Sequence, residues 1–388
     1  LYRFEWRVVR KMTKTLFPGS TLGIIGDSPN GIMLARAAKK MGYKVVAYSR
    51  YEESPTLAEA DVRIVGKMND KLKLQSFAQR CDVVTYESEH VNSEVIKYIA
   101  QYTSVPQGTD ALEYMQDRLL ERAFFEQLNV NIAPYATIVN LDDVYQAVTS
   151  IGYPCVLKPI QKGLGKAHQQ IIRKQSDIAK CADIIDMGTY ILESWIPYTK
   201  ELSVVLTKDA KGTINFFPVI ENIYHDHVLH ESLVPAMISN DVEAEVRRLA
   251  DKIAKSLNYV GTMEIAFFLT ESGAIYVKRV VPGLHASGYV FDKATNVTMF
   301  EQHLRALAQM PLVKTELMEP TVAITIESQD QDDLRTQWVL KDNWYYNFFR
   351  YPLSMRVHDT EGYLLALGPT IETVREQVES TGIWDNKI

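Results

Sequence analysis

Residues 153–172 read YPCVLKPIQKGLGKAHQQII, and residues 189–205 read TYILESWIPYTKELSVV. The first segment predicts an apolar, partly β-branched strand that ends in Lys158 and leads into a loop with two glycines and two further lysines. The second predicts a strand that runs into an acidic and aromatic segment containing Glu193 and Glu201. Cationic groups and flexible backbone therefore precede a pair of carboxylates by a few dozen residues.

The first segment has the chemistry of a phosphate site. An ammonium group at the end of an apolar strand, such as that of Lys158, is costly unless it meets an anion, although a lysine can also extend its ammonium group from a strand end into water. Gly163 and Gly165 free the backbone so that amides can approach phosphate oxygens, and Lys166 adds positive charge. Glycine and lysine loops are common, so this loop is weak support by itself.

The second segment could recognise a nucleoside. At the end of the predicted strand, Glu193–Ile196 offers a carboxylate and exposed main-chain groups to an adenine edge. Glu201 follows eight residues after Glu193, where it could accept hydrogen bonds from both ribose hydroxyls, or be an ordinary surface carboxylate. Together the two segments predict a nucleotide cleft between two small sheets.

Composition limits the class of protein. A chain of 388 residues with 46% apolar and 23% charged residues predicts two or three globular domains. The net charge of −6 does not favour nucleic acid or an anionic membrane, and no apolar run approaches the roughly 20 residues that span a bilayer. Cys81, Cys155 and Cys181 are widely spaced, which predicts reduced thiols in a cytoplasmic protein.

The N-terminal region predicts a strand–turn–helix–strand unit like the opening of a Rossmann-type domain. Residues 20–31, STLGIIGDSPNG, give the first strand and a turn, and a helix is expected from about residue 32. A dinucleotide fingerprint is weak here, because Ser28 replaces its middle glycine and Ser49 replaces the acid after the second strand. The turn is therefore interpreted as structural, with a ligand phosphate or carboxylate at the helix N-terminus as the alternative.

Further patterns organise the rest of the chain. Residues 111–128 predict one helix, and GTMEIAFFLT with AIYVKRVV predicts a hairpin over 261–281. The predicted organisation is an α/β (α+β) chain with residues 1–11 outside the fold or forming a basic surface helix, an N-terminal Rossmann-like domain over 12–110, a central two-lobed domain over 111–311 and a small C-terminal lobe over 312–388.

Longer phrases carry a family resemblance. They are LGIIG (22–26), MLARAAKKMGYKVV (33–46), CDVVTYESEHV (81–91), ALEYMQDRLLERAFF (111–125), GYPCVLKP (152–159), YILESWIPYTKELSVV (190–205), FPVIENIY (217–224), LNYVGTMEIAFF (257–268), PGLHASG (282–288) and FEQHLRAL (300–307). In these phrases the chain resembles the ATP-grasp superfamily, and within it the 5-(carboxyamino)imidazole ribonucleotide synthase family, the ATPase subunit of phosphoribosylaminoimidazole carboxylase.

The resemblance implies an ATP-grasp fold and a homodimeric ligase of purine biosynthesis. ATP would phosphorylate bicarbonate to carboxyphosphate, and the exocyclic amine of aminoimidazole ribonucleotide would then be carboxylated, usually with two magnesium ions. By matching positions, the implied nucleotide-site residues are Arg118, Lys158, Gly163, Gly165, Gln169, Glu193, Ser194, Trp195, Ile196, Glu201, Tyr224, Lys278 and Arg279, with Lys166 as the one catalytic candidate.

The chain departs from the family at the two metal-binding acids. The first acid falls on Ala266, and the second, in a family Asn-Glu pair, falls on Lys278-Arg279. Hard cations need oxygen ligands, so these replacements put magnesium in doubt and leave no metal ligand among the predicted site residues. Glu264, two residues before Ala266 on the same strand face, could supply one ligand after a register change. Alternatively, Lys278 and Arg279 replace magnesium by neutralising phosphates directly.

Other departures fall on the loops. The family loop GYDGKGQ aligns with GLGKAHQ over 163–169, or with a small shift at Gly165-Lys166, and a family arginine falls on Gly283. A family histidine becomes Tyr224, the turn GGGQLG becomes GDSPNG, and a basic RKxGH segment becomes DTEGY over 359–363. Three hypotheses remain: a working synthase, a degenerate relative that binds nucleotide without efficient turnover, and an ATP-grasp ligase with another acceptor.

Overall fold

The structure is a computed structural model that describes residues 15–163, 168–185, 188–349 and 360–385. The segment 1–11 and the predicted strand MRVHD at 355–359 therefore lie outside the described residues. No helix in the described ranges is long and apolar enough to cross a membrane.

The N-terminal domain is a parallel sheet with helices around it. Its strands are β1 (Thr21–Ile25), β2 (Lys44–Ser49), β3 (Val62–Val65) and β4 (Val83–Tyr86), in the order β3-β2-β1-β4, and its helices are α1 (Pro29–Lys40), α2 (Pro55–Ala58), α3 (Lys71–Gln79) and α4 (Ser93–Ile99). The Rossmann-type opening is confirmed. Helix α1 begins three residues earlier than predicted, because Ser28 caps it and the fixed φ of Pro29 suits the first helical position.

The stretch predicted as one helix over 111–128 is two helices, α5 (Asp110–Gln116) and α6 (Arg118–Gln127). Asp117 lies between them in an extended conformation, and its side chain accepts hydrogen bonds from the amides of Leu119 and Leu120. Aspartate is a strong N-cap residue, so Asp117 ends one helix and begins the next. The break places Arg118 at the first position of α6, directed towards the loop after Lys158.

A small antiparallel sheet follows. It contains β5 (Tyr135–Ile138), β6 (Cys155–Pro159), β7 (Gln170–Ile172) and β8 (Tyr190–Ser194) in the order β5-β8-β6-β7, with α7 (Leu141–Ile151), a 3₁₀ helix (Gln175–Cys181) and α8 (Ala182–Ile185) packed on it. Cys155 and Cys181 are buried in its core as free thiols, and Cys81 is a buried free thiol of the first domain. The three cysteines are thus unpaired in the structure, and their reduced state stays a prediction.

The long sheet has nine strands within the described ranges. They are β9 (Tyr198–Lys208), β10 (Ile214–Phe216), β11 (Ile220–His225), β12 (Val228–Val234), β13 (Gly261–Thr270), β14 (Ile275–Val281), β15 (Thr321–Glu327), β16 (Trp344–Phe348) and β17 (Thr360–Leu367), in the order β14-β13-β9-β11-β12-β15-β17-β16, with β10 beside β9. The predicted hairpin of β13 and β14 is confirmed. The last strands continue the same sheet through the β12–β15 pair, so the C-terminal segment shares the central framework.

Helices cover the long sheet and complete its cores. They are α9 (Asn240–Ser256), α10 (Phe291–Ala294), α11 (Met299–Leu307), α12 (Gln331–Leu340) and α13 (Ile371–Glu379), with 3₁₀ helices at Ala286–Val290 and Ser328–Asp330. Ser239 caps α9, which buries Val246, Leu249, Ala250 and Ile253 at helical spacing. Each fully buried side chain of the size of leucine contributes about 1.5–3 kcal/mol.

Candidate nucleotide site

The charged residues of the predicted cleft cluster where α6 joins the small sheet to the β13–β14 edge of the long sheet. Arg122 of α6 contacts both sides: its Nε donates to Glu193 Oε1 of β8 at 2.7 Å, and its Nη1 lies 3.4 Å from the carbonyl oxygen of Lys278 in β14. The chain after α6 also bridges to β14, through Ile132 and Val277. Helix α6 therefore sets the distance between the small-sheet side and the long-sheet side of the cleft.

Glu193 is the buried centre of the small-sheet side. Lys158 Nζ donates to Glu193 Oε2 at 2.8 Å, and Arg122 holds the other oxygen. Burial alone raises the pKa of Glu193, but Lys158 and Arg122 outweigh it and lower the pKa to about 2. Because both carboxylate oxygens are already held by cations, Glu193 positions Lys158 rather than offering a free acceptor to a base.

The rest of the predicted adenine segment leaves β8 beside Glu193. The amide of Ser194 donates to the carbonyl of Pro134 at 2.9 Å, and the amide of Trp195 donates to the carbonyl of Pro154 at 3.0 Å. Ile196 is buried, whereas the Trp195 side chain is 39% exposed. The segment is thus anchored by its backbone and presents one large aromatic ring at the surface.

Glu121 and Lys162 form a second ion pair that the sequence analysis missed. Lys162 Nζ lies 2.8 Å from Glu121 Oε2, and the amide of Val280 donates to Glu121 Oε1 at 3.2 Å. The pair joins the loop after β6, helix α6 and strand β14 in one contact. No local pattern links Glu121 to Lys162; for Arg122, which was also missed, the four-residue spacing from Arg118 indicates only that a helix places the two arginines on one face.

Arg118 lies at the start of α6, where its amide donates to the carbonyl of Ile160 at 2.8 Å. Its Nη1 atom is buried and has no hydrogen-bond partner among the described residues. Burial, together with the positive charges of Arg122 and Arg279, lowers the pKa of the Arg118 guanidinium despite the opposing carboxylates Glu193 and Glu121. Arg118 is therefore a partly buried cation with an unused donor.

The long-sheet side contains the predicted ribose carboxylate. Glu201 of β9 is buried and forms an ion pair with Lys278 Nζ. The ammonium group also lies 4.9 Å from the ring centre of Tyr224 and 5.2 Å from that of Phe268. Burial lowers the pKa of Lys278 even though Glu201 opposes this. Glu201 thus already has a cationic partner on the cleft face of the sheet.

A β-bulge explains why two consecutive cations serve the same cleft. Ala266 pairs with Arg279 and Phe267 pairs with Val277, so Lys278 is an extra residue between two paired positions. A bulge interrupts the alternation of side chains, which lets Lys278 reach Glu201 while Arg279 reaches His285. The sequence alone places the two side chains on opposite faces.

Arg279 belongs to a buried polar chain with Glu264. Arg279 Nη2 lies 3.0 Å from His285 Nε2, and His285 Nδ1 lies 2.9 Å from Glu264 Oε2, which also accepts from the Ser287 hydroxyl. Arginine can only donate, so His285 accepts at Nε2 and carries its proton on Nδ1 towards Glu264; the Ser287 amide, 3.4 Å from Nδ1, then cannot donate to it. Burial raises the pKa of Glu264, but His285 and Arg279 outweigh it and lower the pKa to about 2. Arg279 Nε is buried and has no partner among the described residues.

These residues do not fit the magnesium ions that the family resemblance implies. At the two matching positions, Ala266 has no donor atom, and Arg279 is a cation that faces it across the hairpin. The described residues contain no group of three or more His, Cys, Asp or Glu side chains arranged to hold a metal ion. Glu264 is two residues away, and His285 and Ser287 hold its Oε2, so only Oε1, which has no partner among the described residues, is left as a single oxygen ligand. We therefore derive no step through a metal.

The turn of the first domain is filled by the protein itself. Glu87 at the end of β4 accepts hydrogen bonds from the amides of Asp27 and Ser28, both at 2.8 Å, from the amide of Gly31 at 3.0 Å and from the Ser28 hydroxyl. An internal carboxylate therefore occupies the N-terminus of α1, the position at which a ligand phosphate was the alternative. This favours the structural interpretation of the turn.

Two predicted loop features have different outcomes. Gly163 and Gln169 are described, with Gly163 at a φ of +91°, whereas Gly165 and Lys166 lie outside the described residues. Gly283, at the position of the family arginine, has a φ of +142°, and an added Cβ would lie 3.4 Å from Ser88 Cα. A side chain there would be strained, so the loss of that arginine accompanies close packing of the 282–288 loop against the end of β4.

Comparison with known proteins gives one consistent family. Residues 123–300 match the ATP-grasp domain, and residues 20–116 match the ribonucleotide synthetase preATP-grasp domain. The chain is 34% identical over 311 residues to the N5-carboxyaminoimidazole ribonucleotide synthase of Bacillus subtilis (strain 168), covering 80% of this chain and 82% of that protein.

Solved structures agree with the sequence matches. A crystal structure of an ADP complex of an N5-carboxyaminoimidazole ribonucleotide synthetase superimposes with a TM-score of 0.91 and 32% identity, covering 97% of this chain and 100% of the other. The ADP complex of N5-carboxyaminoimidazole synthetase from Staphylococcus aureus gives a TM-score of 0.89 and 28% identity, with 95% and 98% coverage.

Proposed function

The chain belongs to the N5-carboxyaminoimidazole ribonucleotide synthase family of ATP-grasp proteins, and we propose that it binds ATP in the cleft between β8 and the β13–β14 hairpin. The observation that carries this proposal is the pairing of Lys158 with Glu193 at one side of the cleft and the buried Glu201 at the other. In this proposal Lys158 binds phosphate and Glu201 binds the ribose hydroxyls.

The reaction that family membership supports is the carboxylation of aminoimidazole ribonucleotide. The terminal phosphoryl group of ATP passes to bicarbonate, giving ADP and carboxyphosphate, and the exocyclic amine then takes the carboxyl group with release of phosphate. In this chain Lys158, Arg118 and Arg279 supply positive charge along the phosphate path, and Arg122 and Glu193 hold Lys158 in place. Positioning and charge neutralisation are the main contributions of a protein to phosphoryl transfer.

A second candidate is a family member that binds the nucleotide without efficient transfer. Ala266 and Arg279 at the two metal-matching positions favour it, because bridging metal ions normally neutralise the charge that develops during transfer. Both candidates need the same nucleotide site, and they differ only in turnover.

Release of ADP tests the two candidates. The purified protein is supplied with ATP, bicarbonate and aminoimidazole ribonucleotide, with each omitted in turn, and ADP and phosphate are measured with and without magnesium. Turnover that requires all three substrates supports the synthase reaction. ATP binding without turnover selects the second candidate, turnover with a different amine selects a ligase with another acceptor, and failure to bind ATP contradicts the site. Light scattering on the same sample tests the homodimer implied by the family.

A further inference from the structure

At the two positions of the β13–β14 hairpin where the resembled family has acidic residues, this chain has Ala266 and Arg279. Ala266 is 1% exposed and lies directly opposite Arg279 in the strand register. A small side chain at this position leaves room for the guanidinium, whereas a carboxylate opposite Arg279 would neutralise it. The two replacements are therefore mutually consistent. They add a cation to a part of the site that also contains Glu264, Glu89 and Glu201, whose charges raise the pKa of Arg279 despite its burial.

The carboxylates nearest this position are only partly engaged. Glu201 is paired with Lys278. His285 and Ser287 hold Glu264 Oε2, whereas Glu264 Oε1 is buried without a hydrogen-bond partner among the described residues. Glu201 therefore neutralises the charge of Lys278, and both residues belong to the proposed ribose end of the cleft. Among the described residues Arg279 has one hydrogen-bond contact, through Nη2 to His285, which fixes the direction of its planar group, and the charges of Glu264, Glu89 and Glu201 lie near it.

Two buried guanidinium donors remain unused among the described residues. They are Nη1 of Arg118 and Nε of Arg279, and the two groups lie close enough for the charge of Arg279 to lower the pKa of Arg118. A buried charged donor without an acceptor is destabilising, because it has lost its hydrogen bonds to water. An anion placed between these groups would supply the missing acceptors and relieve the repulsion between two like charges.

We propose that Arg118 and Arg279 bind the polyphosphate of a nucleoside di- or triphosphate directly, so that this chain binds its nucleotide without a divalent cation. The inference rests on the proposed nucleotide site and specifies how that site holds phosphate. Arginine suits this role because its planar set of donors matches phosphate oxygens and it stays charged when buried.

Glu264 becomes a positioning residue in this arrangement. Its carboxylate fixes the Nδ1–H tautomer of His285, and His285 then accepts from Arg279 at Nε2. The acid that could have supplied a metal ligand therefore acts on Arg279 through His285. The chain Glu264–His285–Arg279 gives the guanidinium one orientation before the nucleotide arrives.

Calorimetric titration of ATP, ADP and adenosine into the full chain tests the proposal, in EDTA and in magnesium chloride. The expected result is ATP binding in EDTA with a dissociation constant within about threefold of that in magnesium. Arg279→Ala should weaken ATP by roughly tenfold or more while changing adenosine less than about threefold, since it removes a charged hydrogen bond to phosphate. Arg248, an exposed arginine paired with Glu245, gives the matched control Arg248→Ala, which should leave both affinities unchanged.

Each other outcome has a distinct meaning. ATP binding that occurs only with magnesium overturns the inference and leaves the proposed nucleotide site intact. Absence of binding by both ATP and adenosine in either buffer overturns the site and the inference together. Equal loss of ATP and adenosine affinity in Arg279→Ala also overturns the inference, because Arg279 would then hold the pocket rather than the phosphate. If Arg279→Ala does not fold, Arg279→Gln provides the same comparison with a polar side chain of similar length.

Discussion

At the scale of single residues, the proposed contact between Glu201 and the ribose predicts a preference for ribose over deoxyribose. Its buried carboxylate lies on the cleft face of β9, where it can accept from ribose hydroxyls while Lys278 balances its charge. We expect the wild-type protein to bind ATP more tightly than 2′-deoxy-ATP by roughly tenfold, the value of one hydrogen bond to a charged group. Glu201→Gln should reduce this ratio to about threefold or less in a competition titration.

An unchanged ratio in Glu201→Gln would contradict the ribose assignment. Thr199→Ala on the same strand is a useful control, because the Thr199 hydroxyl donates to the carbonyl of Leu269 and is not part of the charged cleft. It should preserve the preference for ATP.

Glu193 should matter more for stability than for recognition of the base. Glu193→Ala would leave Arg122 and Lys158 near each other without their shared carboxylate, and removal of one partner from a buried ion pair costs about 3–5 kcal/mol. Urea denaturation measures this loss. Glu245→Ala removes an exposed carboxylate from Arg248 and should cost less than about 1 kcal/mol. Equal effects of the two substitutions would show that the Glu193 cluster is not an internal structural unit.

The sequence located the two sides of the cleft but not how their charges are matched. Lys158 and Glu201 could be found because each is a charged residue in a predicted strand of a recognisable phrase. Arg122 and Glu121 could not, since their partners Glu193 and Lys162 come from elements dozens of residues away. Charge pairing across elements depends on tertiary packing, which local sequence patterns do not encode.

At the scale of elements, the Glu87 carboxylate at the start of α1 should make the stability of the protein depend on pH. Burial raises the pKa of Glu87 to about 7, although Ser28 and neighbouring amides oppose this. The folded chain then retains a proton that the unfolded chain has released, so Glu87 reduces stability as pH rises from about 4.5 to 7. Relative to Glu87→Gln, the wild type should lose up to about 3 kcal/mol across this window.

Urea denaturation at pH 5, 6 and 7 compares the two proteins directly. A stability difference that stays constant over this range would contradict the account of Glu87 as a buried, titrating cap. Glu94→Gln is the matched control, because Glu94 is an exposed acid at the start of α4. Its difference from the wild type should be small and nearly independent of pH.

Strands and helices were predicted well where the apolar period is regular, and less well where one residue changes the local geometry. The β13–β14 hairpin was found from its alternation, but its bulge at Lys278 was not. Similarly, one helix was predicted over 111–128, whereas Asp117 divides it. A bulge and a cap each depend on a single position, so a periodic pattern continues across them.

At the scale of the whole molecule, His303 of α11 joins the first domain to the long sheet. The amide of Thr262 donates to His303 Nδ1 at 3.0 Å, so Nε2 carries the proton, and Nε2 lies 2.9 Å from the Thr85 hydroxyl of β4. Burial lowers the pKa of His303 to about 3. The folded chain therefore keeps this ring neutral under conditions in which the unfolded chain protonates it.

Stability should consequently fall on acidification below the ordinary histidine pKa. Relative to His303→Gln, the wild type should lose about 1.4 kcal/mol for each pH unit between roughly 6.5 and 3. Denaturation at pH 7.5 and 5.5 measures the difference, and an exposed histidine variant, His90→Gln, is the control. Equal pH dependence of the wild type and His303→Gln would exclude the buried histidine as the source.

The sequence predicted the overall architecture better than it predicted how the parts of the molecule join. Alternating strands and helices predicted the first domain and the two sheets of the cleft. The continuation of the long sheet into the C-terminal segment was not predicted, because the pairing of β12 with β15 joins residues about 90 positions apart. The register of such long-range pairs depends on which faces are buried, and the separate segments do not reveal that.

The central claim is that the cleft keeps nucleotide recognition while Arg118 and Arg279 replace the cations of the family. The most direct measurement follows the dissociation constant of ATP for the wild-type chain as free magnesium increases from zero to millimolar concentration. With ATP counted as the total of its free and magnesium-bound forms, the account predicts that the logarithm of the dissociation constant stays constant with the logarithm of free magnesium. A slope near −1 at low free magnesium, which shows that the chain binds only the magnesium complex, would contradict it.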